Sequence, residues 1–288
     1  MPVRQSVSCV PNIKRINMQN LEQITRLVCD IAREAGSYIK KERANFSVEK
    51  VERKHAHDYV SYVDKGSEQM IVSRLRQILP EAGFITEEGL ATHSDEQMLW
   101  VVDPLDGTTN FIHGFAPYAV SIALIRGKEI LAGVVYEICA DECFYAWQHG
   151  GAFVETRSEQ GGTRNVSLHV GSSDIGDALI CLQYPYNSDA YKPVIKRLIE
   201  CYYGHAASIR SIGSAAMALC YVAAGRLDAY VERYIGQWEY MAGALIVMEA
   251  GGRVTDFDGS DCFMTGDSVV ATNGVVHEAL LKGVCQAQ

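Results

Sequence analysis

The chain has 288 residues, 48% of them hydrophobic, and a formal net charge of −9. That length and apolar content suffice to bury one large core or two closely packed halves, and they exclude a largely disordered chain. The acidic balance argues against a nucleic-acid partner, whose affinity comes mostly from clustered Lys and Arg, although a phosphate can still bind where a metal ion supplies local positive charge.

From the N-terminus, the first sixteen residues hold no apolar run long enough for a secretory signal, and residues 1–18 read as a tail ahead of the fold. Leu21, Ile24, Val28, Ile31, Ala32, Ala35 and Ile39 recur at three- and four-residue spacing, which predicts an amphipathic helix capped by Asn20. A polar stretch runs through His57. A second helix is predicted over 64–79, with Met70, Ile71, Leu75 and Ile78 inward and Pro80 and Gly83 ending it.

Short strands are predicted at 84–86, 99–102, 118–126, 130–138, 143–147 and 166–170, with a hairpin about Gly127-Lys128 and turns at Gly150-Gly151 and Gly161-Gly162. From Ala178 the pattern alternates: strand 178–183, helices 189–203 and 214–224, strand 227–231, helix 238–250, strand 269–272 and a closing helix. The expected fold therefore combines an α+β half over 19–160, built on an antiparallel sheet, with a smaller α/β half over 161–288, in one integrated unit.

No stretch approaches the roughly 20 apolar residues of a membrane span, so a soluble protein without a membrane partner is expected. Nine cysteines (Cys9, Cys29, Cys139, Cys143, Cys181, Cys201, Cys220, Cys262 and Cys285) are scattered without a CxxC pair. They read as reduced thiols of a cytoplasmic protein, most of them small core fillers.

The chemistry concentrates in Trp100-Val-Val-Asp-Pro-Leu-Asp-Gly-Thr-Thr-Asn-Phe111, where an apolar strand runs into two carboxylates and a turn. Asp103 and Asp106 can share hard cations, with the carbonyl of Leu105 as a neutral ligand. Gly107 permits close backbone approach, and Thr108, Thr109 and Asn110 start a helix whose free N–H groups favour an anion. An Asp-x-x-Asp-Gly turn alone is weak, because Asp and Gly are ordinary turn residues. Glu87-Glu88-Gly89, a second acidic pair at a strand end, strengthens the metal reading, since adjacent carboxylates repel unless exposed or bound to cations.

The string DPLDGTTNF at 103–111 resembles the signature of the inositol monophosphatase family. So do Glu87-Glu88, Asp58-Tyr-Val-Ser-Tyr-Val-Asp64, Ser208-Ile-Arg-Ser-Ile-Gly-Ser-Ala-Ala216 and the run from Trp238 to Gly252, in the family's order from about Leu21 onward. The resemblance implies a layered α-β-α-β-α sandwich, a homodimer, and two to three Mg²⁺ ions per site. It places Glu87, Asp103 and the Leu105 carbonyl on the first ion, Asp103, Asp106 and Glu239 on the second, and Glu87 on a weaker third. Thr108, oriented by Asp64, would position and help deprotonate the attacking water, while Gly107 and Thr108 hold the phosphate. Ala215 and Glu232 would contact the ring, and Lys54 lies near the family's mobile-loop lysine.

The implied activity is hydrolysis of myo-inositol 1-phosphate or a similar polyol or sugar phosphate by a metal-activated water. Glu232 would suit a neutral polyol and disfavour doubly anionic relatives' substrates such as fructose 1,6-bisphosphate or 3′-phosphoadenosine 5′-phosphate; an exposed glutamate is the alternative. The family writes Trp-Asp where this chain writes Trp238-Glu239, and the extra methylene moves the carboxylate by about 1.5 Å, against a Mg²⁺ preference for ligands at roughly 2.0–2.1 Å. Retained but reduced activity is expected, with a weakly active, protein-binding regulator as the alternative. His55 and His57 read as loop histidines, His113 as a pocket-lining or structural residue, and Cys201 and Cys220 as packing.

Overall fold

A computed structural model describes residues 18–46, 51–55, 58–90, 97–157, 162–184, 188–261 and 263–285. The chain opens with α1 (Met18–Ala44), the strands β1 (Val51–His55) and β2 (Asp58–Ser61), α2 (Tyr62–Ile78), β3 (Gly83–Thr86), β4 (Met98–Asp106) and the short α3 (Thr108–His113). A meander follows: β5 (Ala119–Arg126), β6 (Glu129–Glu137), β7 (Glu142–Trp147), β8 (Gly151–Arg157) and β9 (Thr163–Ser167). The remainder is β10 (Leu179–Leu182), α4 (Ser188–Tyr202), β11 (Ser208–Arg210), α5 (Ala215–Ala223), β12 (Ala229–Arg233), α6 (Gln237–Glu249), β13 (Arg253–Thr255), β14 (Ser268–Thr272) and α7 (His277–Cys285).

Among the described residues, the larger sheet has the order β3-β4-β5-β6-β7-β8-β9 and the smaller β11-β10-β12-β14-β13. The large sheet is antiparallel except for its edge pair β3 and β4, which run parallel. The small sheet pairs β10 in parallel with β11 and β12, while β14 runs antiparallel to β12 and β13.

Strands β4, β5 and β6 are buried on both faces, which explains their unbroken apolar runs. One face packs on α1 and α2 through Ile24, Val28, Leu75 and Trp100; the other packs on α5 and α6 through Ala123, Val135, Leu219 and Ile246. The small sheet lies beyond α5 and α6, and its outer face packs on α4 and α7 through Leu182, Val231, Leu198 and Leu280. The order of layers is therefore α-β-α-β-α.

All seven apolar residues predicted for the inner face of α1 are buried. Asn20 sits inside that helix rather than capping it: nothing in Met18-Gln19 breaks a helix, so the helix starts earlier. The predicted strand at 166–170 forms at Thr163–Ser167, and Gly151, predicted as part of a turn, begins β8. Strands β1, β2, β11 and β13 lack an apolar alternation and form through pairing with neighbours. None of the helices among the described residues is long and apolar enough to cross a membrane. Of the cysteines, Cys29, Cys139, Cys143, Cys181, Cys201 and Cys220 are free thiols, four of them buried.

Candidate active site

The site grows from an irregularity in β4. Asp103 pairs with Ser121 and Asp106 with Ala119, so three steps along β4 match two along β5. Pro104 lacks the N–H that a regular ladder needs, and the extra residue makes a bulge. The consequence is geometric: residues three apart on a strand point to opposite faces, but the bulge returns Asp103 and Asp106 to the same face. Both are nearly fully buried.

Gly107 follows with φ of 84°, a left-handed conformation open to glycine, and a Cβ there would meet the carbonyl oxygens of Gly213 and Pro117 at 3.1 and 3.2 Å. Thr108 then starts α3. Its hydroxyl lies 3.0 Å from Asp64 Oδ1 and 2.9 Å from the Leu105 carbonyl, and its single proton serves one of them at a time.

Helix α2 braces this corner from below. Asp64 meets Thr108, the Ser67 hydroxyl donates to the Pro104 carbonyl at 3.0 Å, and Glu68 holds the strand end that carries Glu87. The fully buried Glu68 accepts from the Thr86 hydroxyl, the Glu88 N–H and the Leu90 N–H, each at 2.8 Å. The sequence reading missed Ser67 and Glu68. Their signal was available: 64, 67, 68, 71 and 75 share one helical face, so these polar groups sit among core residues.

Helices α5 and α6 close the other side. Asp106 accepts from the Ser214 hydroxyl, the Ala216 N–H at 2.9 Å and the Ala215 N–H at 3.3 Å, at the N-terminus of α5. Ser214 is itself the cap of α5, accepting from the Met217 N–H, which its place before an apolar run signalled. Glu239 stands in the first turn of α6 and accepts the Gly236 N–H at 2.6 Å, half of a capping box.

Glu87, Asp103, Leu105, Asp106, Gly107, Thr108 and Glu239 thus line one cavity of about 200 Å³, together with Tyr234, Gly236 and Trp238. Burial, then the charges of Glu87, Asp106 and Glu239, hold the Asp103 carboxyl well above the usual carboxylate range. Burial pushes Asp106 up to about 6 against its hydrogen bonds, and burial with Glu232 and Asp106 raises Glu239. A divalent cation would relieve this crowding of acids, and the donors (carboxylates and one carbonyl) are the hard oxygens that Mg²⁺ takes. The fit is chemical rather than preset: among the described residues no three acidic groups close on one point, because Asp106 and Glu239 spend oxygens on the two helix starts.

A second cavity, of about 280 Å³, adjoins the first across Asp106, Gly107, Tyr234 and Glu239. It holds Ala215 and Glu232 as expected, Asn110 from α3, and also Gln183, Tyr184, Ser211 and Gly213, on loops without a periodic pattern to betray them. Glu232 is buried, not exposed; the Tyr230 hydroxyl donates to its Oε2, and burial pushes its carboxyl up to about 8. Asn110 ties the two halves together, its amide donating to the carbonyls of Pro117 and Ile212, each at 2.8 Å. His113 is exposed and outside both cavities, and Cys220 is core. Lys54 and His55 fall on β1, where the backbone alone is described, and His57 lies outside the described residues.

Five alternating layers and a cavity of hard oxygen donors define the class, a layered α/β protein with an acidic site suited to divalent cations. Residues 20–288 match the model of the inositol monophosphatase family, and the chain belongs to that family. It is 36% identical to the inositol-1-monophosphatase of Mesorhizobium japonicum over 263 residues, which covers 91% of this chain and 96% of that protein. It is also 36% identical to the Nus factor SuhB of Vibrio cholerae, covering 88% and 92% of the two. The solved extragenic suppressor protein suhB of Bartonella henselae superimposes with a TM-score of 0.81 at 32% identity, covering 91% of this chain and 98% of that one.

Proposed function

We propose that this chain is a Mg²⁺-dependent phosphomonoesterase that hydrolyses myo-inositol 1-phosphate or a similar polyol monophosphate. The observation that carries the reading is the junction of the two cavities. Hard oxygen donors and the Thr108 hydroxyl stand on one side, a polar ring-sized space ending at Glu232 stands on the other, and Asp106, Gly107 and Glu239 belong to both.

Glu87, Asp103 and the Leu105 carbonyl would hold a first Mg²⁺, and Asp103, Asp106 and Glu239 a second, with Glu87 on a weaker third. Bound Mg²⁺ supplies Lewis acidity that acidifies water and offsets phosphoryl charge. Thr108 orients the attacking water through its hydroxyl, and the buried Asp64 at 3.0 Å takes up the proton that the water loses. Gly107 lets the backbone lie against the phosphate. Glu232 accepts from ring hydroxyls and, as an acidic side chain, offers no positive charge to a second phosphate, which separates this reading from the bisphosphate substrates of the wider superfamily. The protein acts as a cytoplasmic homodimer.

The test is phosphate release from myo-inositol 1-phosphate, fructose 1,6-bisphosphate and 3′-phosphoadenosine 5′-phosphate, with Mg²⁺ and with chelator. Mg²⁺-dependent release with preference for the inositol ester is expected; silence on all three at saturating Mg²⁺ defeats the reading. That silence, in a folded dimer, is what a protein-binding regulator predicts. Two observations favour this second reading: the Nus factor name of a relative, and the engagement of Glu239 with Gly236.

A further inference from the structure

Tyr234 leaves β12 two residues after Glu232 and holds φ of 60°, in the left-handed region that bulky side chains avoid. A glycine would take this conformation freely, so the backbone gives no reason for a tyrosine. The surroundings nonetheless hold it there. Its N–H donates to the Asp267 carbonyl at 2.6 Å, and its ring meets Tyr191 edge-on, with centroids 6.1 Å apart at 77°. Strain kept by such surroundings is a mark of functional positions, and the location agrees: Tyr234 lines both cavities while the residue stays 41% exposed.

Gln183 supplies a second fixed element of the polyol cavity. Its Oε1 accepts from the Ser211 hydroxyl at 3.0 Å and from the Gly213 N–H at 3.3 Å, which settles the orientation of the amide. The amide nitrogen is left with no acceptor among the described residues, on a side chain that lines the cavity. Glu232 has the complementary state: Tyr230 occupies Oε2, and Oε1 has no donor among the described residues. One cavity therefore offers an oriented donor, an oriented acceptor and an aromatic face. At about 280 Å³ it stands at the small end of ligand cavities.

We propose that Gln183 and Tyr234 determine specificity for a single-ring cyclic polyol monophosphate. The Gln183 amine donates to one ring hydroxyl, Glu232 accepts from another, and the Tyr234 phenol ring covers a C–H face. An acyclic ester such as glycerol 2-phosphate presents no such face and cannot use all three at once. The inference rests on the phosphomonoesterase reading above.

The experiment compares kcat/KM for myo-inositol 1-phosphate with that for glycerol 2-phosphate in wild type, Tyr234→Gly and Gln183→Glu. The second variant keeps the oxygen that Ser211 and Gly213 bind and replaces the donor with an acceptor. Any added repulsion of phosphate acts on both substrates alike and cancels in the ratio. The inositol-to-glycerol ratio should fall at least tenfold in each variant, and the melting temperature of Tyr234→Gly should not fall, because glycine relieves the backbone. A ratio within twofold of wild type in either variant overturns the inference while leaving the phosphatase reading intact. A wild type inactive on every ester defeats that reading first, and the inference with it.

Discussion

Glu239 turns its carboxylate back onto the start of its own helix, Oε2 accepting the Gly236 N–H at 2.6 Å, while the same side chain lines the cavity of Asp103 and Asp106. A capping contact and a place in a cation site compete for one group. Shortening it to Glu239→Asp should withdraw it from Gly236 and cost about 0.5–1 kcal/mol of metal-free stability, the usual scale of a lost cap. The Mg²⁺ concentration for half-maximal phosphate release should fall severalfold. Thermal unfolding without metal and a Mg²⁺ titration of turnover check both; if neither Mg²⁺ dependence nor kcat changes, Glu239 is not a ligand.

Asp106→Asn keeps an oxygen for the Ala216 N–H but removes the charge. Turnover should drop roughly a thousandfold, the scale of lost electrostatic stabilisation of a transferring phosphoryl group, while stability changes little, because relief of the charge crowding on Asp103 and Glu239 offsets an NH₂ group set against the Ala215 N–H. Mg²⁺-dependent turnover left intact would falsify the second-site assignment. Thr108→Ala should cost roughly a hundredfold in kcat, as expected for a lost water-orienting proton relay, with little change in KM.

Glu68 meets three donors with two oxygens in a fully buried setting. Glu68→Gln sets an NH₂ group against a backbone N–H, leaving at least one buried donor unsatisfied, at about 1–3 kcal/mol. Because those donors fix the strand end bearing Glu87, the Mg²⁺ requirement should rise as well. Chemical denaturation paired with a Mg²⁺ titration reads both effects; a loss of stability with unchanged Mg²⁺ dependence would separate Glu68 from the site.

His277 gives the fold a pH dependence away from the site. The Thr255 hydroxyl donates to the Asp256 carbonyl and so accepts from Nε2, while the Thr272 hydroxyl donates to Nδ1, an arrangement made for a neutral ring. Burial, with help from Arg253, lowers its pKa from an ordinary 6.5 to about 4. The folded pKa is the depressed one, so the unfolded chain takes up the proton first as pH falls. This contribution is complete above about pH 6.5 and is lost between 6.5 and 4, at no more than about 1.4 kcal/mol per pH unit. Wild type should therefore lose more stability between pH 7 and pH 5 than His277→Asn; equal losses in the two sink the assignment.

Much was legible in the chain itself. Helical spacing from Leu21 to Ile39, the Gly127-Lys128 hairpin and the alternation after Ala178 are local patterns, and each formed within a few residues of its expected place. Asp103, Asp106 and Gly107 were recognisable because one short string carries them. Tertiary structure alone decided which face the two aspartates share, since that depends on a bulge in pairing with β5, and which groups Asp106 touches, since those lie at a helix start over a hundred residues away. Gln183 and Tyr234 stayed hidden for the same reason. A loop residue carries no periodicity, and its role exists once distant strands bring it to a cavity wall, whereas an amphipathic stripe is written by the repeat of the backbone it folds into.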